Sequence, residues 1–200
     1  VFPFMRNIGD GDSLYKEYMK GANFGIPTAS LLIEAVNIIN DMHIKEQNQD
    51  TQGDIYEYLL SELTTAGKNG QFRTPRHIIN MMVDLTDPQT DDKILDPACG
   101  TAGFLISAMK RMEDLAKKDK IKIKEIHTKQ LIGIEDNPKM FCLACSNMML
   151  RGDGKSNISQ QDCFQIADEE INKFKPTIAL LNPPYSKENG HKELEFVWNA

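Results

Sequence analysis

Residues 182–185 read NPPY, an asparagine and a tyrosine around two prolines at the end of an apolar run. That combination suits chemistry on a planar amine. The exocyclic nitrogen of a nucleobase is a poor nucleophile, because its lone pair is delocalised into the ring. The Asn182 side-chain oxygen and the Pro183 carbonyl can accept its two hydrogens, favouring a pyramidal nitrogen aimed at a methyl donor. Tyr185 offers a face on which a base swung out of its helix can stack, worth roughly 1–3 kcal/mol. Pro183 and Pro184 lock φ and keep the carbonyls pointed inward. The same four residues also make a strand-terminating turn, and in isolation that plainer role is the better reading.

Three acids elsewhere change the balance. DPACGTAG (96–103) follows a short apolar run, and Gly100 and Gly103 let the backbone pass close to a ligand before a helix begins. It is neither a G-x-G-x-x-G fingerprint nor a P-loop. Asp96 would repel a diphosphate but suits an ammonium or sulfonium, which favours S-adenosylmethionine over NAD or ATP. Glu135 closes the run LIGIED (131–136), where an acidic side chain accepts both hydroxyls of a ribose. Asp162 follows a weaker third run and could accept from an exocyclic adenine amine. Each acid alone is an ordinary surface or capping residue. Three at successive strand ends, ahead of NPPY, form a constellation.

These residues need a scaffold that brings strand ends together. Apolar residues at helical spacing predict helices over 27–42 (Leu32, Ala35, Val36, Ile39; Thr28 or Ser30 as N-cap), 54–63 (Ile55, Tyr58, Leu59, Leu63) and 74–85. In the last, Thr74 suits an N-cap, Pro75 the first helical position, and Ile78, Met81, Met82 and Leu85 one apolar face. Beyond Pro88, strands at 93–96, 130–136, 157–162 and 177–182 alternate with helices at 104–118 and from Pro138 onward. Leu105, Ala108, Met109 and Met112 face inward on the first of these, Met140, Leu143, Ala144 and Met148 on the second. Such alternation predicts a parallel α/β sheet. The lysine-rich stretch 117–129 reads as a solvated helix end plus an insertion.

The bulk numbers narrow the function classes. The net charge is −6, which argues against a generally cationic nucleic-acid binder while leaving room for a basic partner subunit. The only local basic strip is 67–76. Four cysteines at irregular spacing fit a reduced, cytoplasmic protein rather than a disulfide scaffold. Cys142 and Cys145 have C-x-x-C spacing but sit in a helical pattern with no second pair, so they read as structural thiols and no metal is expected. No apolar run approaches a membrane span. The chain starts at Val1 and ends at Ala200 in what reads as a helix start, which fits a fragment.

The order of motifs resembles that of N6-adenine DNA methyltransferases in which cofactor motifs precede the catalytic motif. More closely, the chain resembles the modification (methyltransferase) subunit of type I restriction–modification systems. The matching residues are GQFRTPR (70–76), DPACGTAGF (96–104), IED (134–136), Gln161-Asp162 and NPPY (182–185), with YEYLL upstream. The resemblance implies a Rossmann-like S-adenosylmethionine-dependent fold, truncated here, over residues 67–200, preceded by an all-helical region over 1–66. It implies that Gln71, Phe72, Arg73, Thr74, Pro75 and Arg76 close over the methionine part of the cofactor. Thr101, Ala102 and Gly103 would lie at its turn, Glu135 would hold its ribose, Asp96 would sit near its amino group and Asp162 near its adenine. Many relatives have an aromatic in place of Arg73 and a glycine in place of Ala102.

The implied reaction is in-line displacement: adenine N6 attacks the sulfonium methyl, with Asn182, Pro183, Pro184 and Tyr185 as the target clamp and no covalent role for Cys99. The implied partners are double-stranded DNA with a flipped adenine, and the specificity and restriction subunits of the same system. Two other readings share these residues. One is methylation of a protein glutamine amide or an RNA base amine, which uses the same clamp; the other is a cofactor-binding and docking fragment without turnover.

Overall fold

The computed structural model describes residues 25–43, 49–66, 73–152, 157–165, 171 and 173–183. The apolar repeats before Pro88 form α1 (Ala29–Asp41), α2 (Gln49–Ala66) and α3 (Arg76–Thr86). Strands and helices then alternate: β1 (Ile94–Asp96), α4 (Gly103–Ala116), α5 (Lys120–Lys129), β2 (Leu131–Ile134), α6 (Pro138–Leu150), β3 (Ile158–Ser159), a 3-10 turn (Cys163–Gln165) and β4 (Ile178–Ala179). Local chemistry sets several boundaries. Thr28 caps α1 by accepting from the Leu31 N–H, and Asn137 caps α6, whose first residue is Pro138.

The sheet order is β3-β2-β1-β4 and every pair is parallel, as the alternation predicts. Ile94 of β1 lies opposite both Leu131 and Ile178, and Gly133 of β2 opposite Ile158. The chain builds outward from β1 to β3, then returns to lay β4 on the other side of β1. The strand order therefore reverses between β1 and β4, where open α/β sheets leave a crevice for ligands.

The core forms where α4 and α6 meet the sheet. Leu105, Ala108, Met109 and Met112 of α4 are buried, as are Phe141, Ala144 and Met148 of α6. They pack with Ile94, Leu131 and Ile158 from the strands, Leu180 just after β4, Ile126 of α5, and Ile79 and Val83 of α3. Among the described residues no helix is long and apolar enough to cross a membrane.

Five local expectations are corrected. The inward stripe of α3 is Ile79 and Val83, whereas Met81 and Leu85 are exposed. Its flexible Met residues left two neighbouring stripes equally apolar on paper, and packing on α4 selects the β-branched one. Thr74 does not cap α3; Pro75 occupies that place without a side-chain cap bond. On α2, Gly53 and Leu60 are buried while Tyr58 and Leu59 are exposed, because this helix docks against α6 through a close glycine contact rather than a broad apolar face. The lysine-rich stretch is no insertion: it forms α5, started by Asp119 accepting from Ile121 and Lys122 N–H and anchored by buried Ile126. Finally, α1 has the expected helical period, yet Val36 and Ile39 are exposed and no residue of the helix is buried.

Gly133 shows how tightly the layers meet. A Cβ there would lie 2.6 Å from Ile158 Cδ1, 2.8 Å from Leu105 Cδ1 and 3.0 Å from Cys99 Sγ. Gly133→Val should therefore destabilise the chain by about 1–3 kcal/mol through overpacking. A lowered urea midpoint checks this, and an unchanged midpoint would mean that α4 and β3 can separate at little cost.

Candidate active site

Asp96 ends β1 and is 1% exposed. Its Oδ1 accepts from the Ala98 N–H at 3.2 Å, while Oδ2 is buried without a hydrogen-bond partner. Burial pushes its pKa up from 3.8 to about 8, with the Glu135 charge adding to the rise and the Ala98 bond opposing it. Below that pH the group is a neutral acid with an unsatisfied polar atom, and a cation or strong donor beside it would satisfy that atom and favour the ionised form.

The turn after Asp96 doubles back toward β2. The Cys99 N–H donates to the Ile134 carbonyl at 2.9 Å, and the Gly100 N–H to Glu135 Oε2 at 2.9 Å. Gly100 has φ 56, and the space where its Cβ would stand is open, so the backbone itself faces the crevice. Glu135 Oε1 accepts from the Asn137 N–H at 2.8 Å. The carboxylate thus joins two strand ends, and each oxygen, with one bond made, has a second lone pair for a hydroxyl. Burial raises its pKa while the two backbone bonds oppose the rise.

Thr101 and Ala102 are buried and Gly103 begins α4, close against α3: a Cβ on Gly103 would lie 2.9 Å from Ile79 Cδ1. Asp162 Oδ1 accepts from the Phe164 N–H at 3.0 Å, so it caps the 3-10 turn after β3 at the same edge of the sheet. Burial, reinforced by Asp162, pushes the Cys163 thiol up to about 11. Cys99 is buried too, its thiol pushed up by desolvation and by the Asp96 and Glu135 charges, which makes it inert as a nucleophile. Cys145 is buried and Cys142 half-buried, and the described residues contain no cluster that could hold a metal ion.

Asn182 lies just beyond β4, across the switch point from Asp96. Its Nδ2 donates to Thr74 Oγ1 at 2.9 Å, joining the loop after β4 to the segment before α3. Arg73 donates to the Glu57 carbonyl at 3.4 Å and Arg76 to Asp54 Oδ1 at 3.0 Å, so both arginines reach α2. Thr74 and Pro75 lie between them. Asp96, Thr101, Ala102, Gly103, Glu135, Asp162, Asn182 and Pro183 all follow strand ends on one side of the sheet. Gln71, Phe72, Pro184 and Tyr185 lie outside the described residues.

Sequence reasoning missed two supports. Asn147 of α6 is fully buried and donates through Nδ2 to the Thr101 carbonyl at 2.9 Å. An asparagine at an inward position of a helix is the signal that could have found it, since a buried amide needs partners. Asp54 of α2 receives Arg76 and Arg151, with Lys110 at 3.7 Å. No local pattern announces a cluster drawn from three helices and the residue that follows a fourth.

A family model described as N-6 DNA Methylase matches residues 47–199. The chain is 38% identical over 161 residues to a type II restriction enzyme and methyltransferase of Heyndrickxia coagulans, covering 76% of this chain and 25% of that protein. It is 32% identical over 162 residues to the methylase subunit of a type I restriction enzyme of Escherichia coli, covering 76% and 32%. The solved modification subunit from Vibrio vulnificus superposes with a TM-score of 0.74 at 26% identity, over 94% of this chain and 41% of that one. The chain thus spans about a quarter to a third of the length of these curated relatives.

Two outcomes follow from the site's geometry. Because the folded pKa of Asp96 lies above its unfolded value, the folded chain retains a proton that the unfolded chain releases between about pH 4 and pH 8. Stability should fall as pH rises through that window, and Asp96→Asn should flatten the fall; equal slopes for both proteins in urea titrations would refute the assignment. Asn147→Ala leaves the Thr101 carbonyl without its donor and should cost about 1–3 kcal/mol, measurable by the same denaturation.

Proposed function

The chain belongs to the N-6 DNA Methylase family, and on that premise we propose that it methylates adenine N6 in DNA using S-adenosylmethionine, as the modification subunit of a type I restriction–modification system. The observation that carries the cofactor assignment is the unpartnered, buried Oδ2 of Asp96 beside the open backbone at Gly100. These residues fit S-adenosylmethionine. Asp96 would receive its ammonium, the Gly100 turn would pass beneath it, and Glu135 would accept from its ribose hydroxyls. Asp162 would lie toward its adenine, with residues 71–76 closing over the methionine. When bound, the cofactor supplies an electrophilic methyl group on a sulfonium.

The chain's own residues then present the acceptor. The Asn182 side chain and the Pro183 carbonyl accept the hydrogens of the adenine amine, and the aromatic face of Tyr185 stacks the flipped base. Asn182 orients rather than deprotonates, so proximity and alignment supply much of the acceleration. The partners in this reading are duplex DNA with a flipped adenine, a specificity subunit that selects the site, and a restriction subunit. The acidic net charge of −6 fits a subunit that leaves most DNA contact to its partners.

One relative favours a second arrangement. The 38% identity to a type II restriction enzyme and methyltransferase supports methyl transfer in a chain that also carries restriction. Purification of the native protein separates the two: separate specificity and restriction subunits in the complex support the type I arrangement, and cleavage activity in the same polypeptide supports the other.

The reaction itself is tested with radiolabelled S-adenosylmethionine and three acceptors: adenine-containing duplex DNA, RNA and protein. Label in DNA adenine is expected, and label confined to protein glutamine or to RNA would reject the assignment. Calorimetry should show saturable cofactor binding that Glu135→Ala weakens by about tenfold or more, the worth of hydrogen bonds to a charged group. Unchanged affinity would remove Glu135 from the site.

A further inference from the structure

We propose that Thr74 is a positioning residue for Asn182, held in place by the carboxylates of α2; this rests on the reading of Asn182 as the orienter of the target amine. Three observations converge. The Asn182 Nδ2 to Thr74 Oγ1 bond of 2.9 Å spans 108 residues of sequence and joins two half-buried side chains. The Thr74 hydroxyl is not spent on helix capping, because Pro75 stands at that position of α3. And Thr74 is bracketed by two anchored arginines: Arg73 bonds the Glu57 carbonyl, while Arg76 pairs with Asp54 at 3.0 Å and Glu57 at 3.4 Å.

The physical need for such a residue lies in the asparagine torsion. The last side-chain torsion of asparagine is broad and roughly two-fold, so the amide has little intrinsic preference for where its nitrogen and oxygen point. An amide that must accept from an amine has to present oxygen; its NH₂ end would meet the amine donor to donor. Engaging Nδ2 on Thr74 turns the oxygen, at the opposite end of the amide, away from Thr74. The hydroxyl is in turn located by α2, where Asp54 also receives Arg151 at 2.9 Å. Burial pushes the Asp54 carboxyl up, but its bonds to Arg151 and Arg76 outweigh that and hold it at about 2. The anchor stays charged across the range in which methylation can be assayed.

The test compares Thr74→Val, which keeps the shape and removes the hydroxyl, with Thr74→Ser, which restores it, in the native assembly with duplex DNA. Thr74→Val should lower kcat on the order of tenfold to a hundredfold, the scale of a misplaced reacting group. Because Thr74 also lies in the segment that closes over the cofactor, the variant's cofactor Kd should change by a smaller factor than its kcat, and Thr74→Ser should recover most of kcat, the signature of an interaction that acts in the chemical step. A Thr74→Val kcat within about twofold of the unsubstituted protein, or a loss seen wholly in cofactor Kd, overturns the proposal. A thermal double-mutant cycle of Thr74→Val and Asn182→Ala needs no activity: a double variant whose Tm loss is smaller than the sum of the single losses supports coupling, and additive losses overturn it. If the unsubstituted protein methylates no DNA, the proposed function fails and the thermal cycle decides the coupling alone.

Discussion

A carboxylate buried at the end of the central strand constrains everything around it. All three residues of β1 are buried, and the third is Asp96, with one oxygen lacking a partner. Water is excluded from that position, so the ionised form is disfavoured and the proton is held to about pH 8. An all-apolar strand end would be cheaper for folding alone. Under the proposed function the position gains a partner, because a cofactor ammonium would satisfy the unpaired oxygen and favour the ionised form. The neighbouring acid is handled differently: Glu135 accepts two backbone N–H bonds and so also fastens the turn. Two carboxylates a strand apart thus have separate tasks, one left short of partners and the other used as a clasp.

The second constraint comes from outside the sheet. Arg151, beyond the end of α6, has a side chain 1% exposed and faces Asp54 at 2.9 Å and Glu57 at 3.5 Å. Gly53 lies so close that a Cβ would stand 2.6 Å from the guanidinium. The buried guanidinium would be costly to leave without its carboxylates, so this cluster specifies where α2 sits more than it adds to stability. Tyr56 reinforces the docking by donating to the Leu143 carbonyl at 3.4 Å. Because Arg73 and Arg76 end on the same stretch of α2, the segment between them is located by a helix rather than by the sheet.

What could be read in the sequence follows the same division. The strands, their order of appearance and the turn chemistry at Gly100 were legible because runs, glycines and acids are local signals. The inward residues of α4 were legible because its buried stripe is wide and continuous. The faces of α2 and α3 were not, since a stripe of Met, Leu and Ile on two adjacent sides gives no reason to prefer one until a partner helix is present. Thr74 misled for a related reason: threonine before proline is a good cap by composition, but its hydroxyl found Asn182 instead. Contacts spanning roughly a hundred residues leave no local spacing to read. The site's acids could be placed at strand ends from the pattern alone, whereas the groups that hold them had to come from the folded chain.

Ala102 shows how these parts depend on one another. It takes the left-handed conformation, φ 65, where a side chain costs roughly 1–2 kcal/mol. A glycine would remove that cost, yet the Ala102 methyl is fully buried in the core, so part of the strain is offset by packing. The conformation has consequences on both sides. Ahead of it, the Ala102 N–H reaches back to the Cys99 carbonyl at 2.7 Å; behind it, the Ala102 carbonyl starts α4 by accepting from Ile106 at 3.0 Å. The bond from Asn147 to the Thr101 carbonyl pins the peptide just before the strained residue. Strain of this kind persists only where its surroundings over-determine it, and here they do so from α4, α6 and the end of β2 together. A turn held from three sides in this way needs little further ordering, and under the proposed function that would spare binding energy.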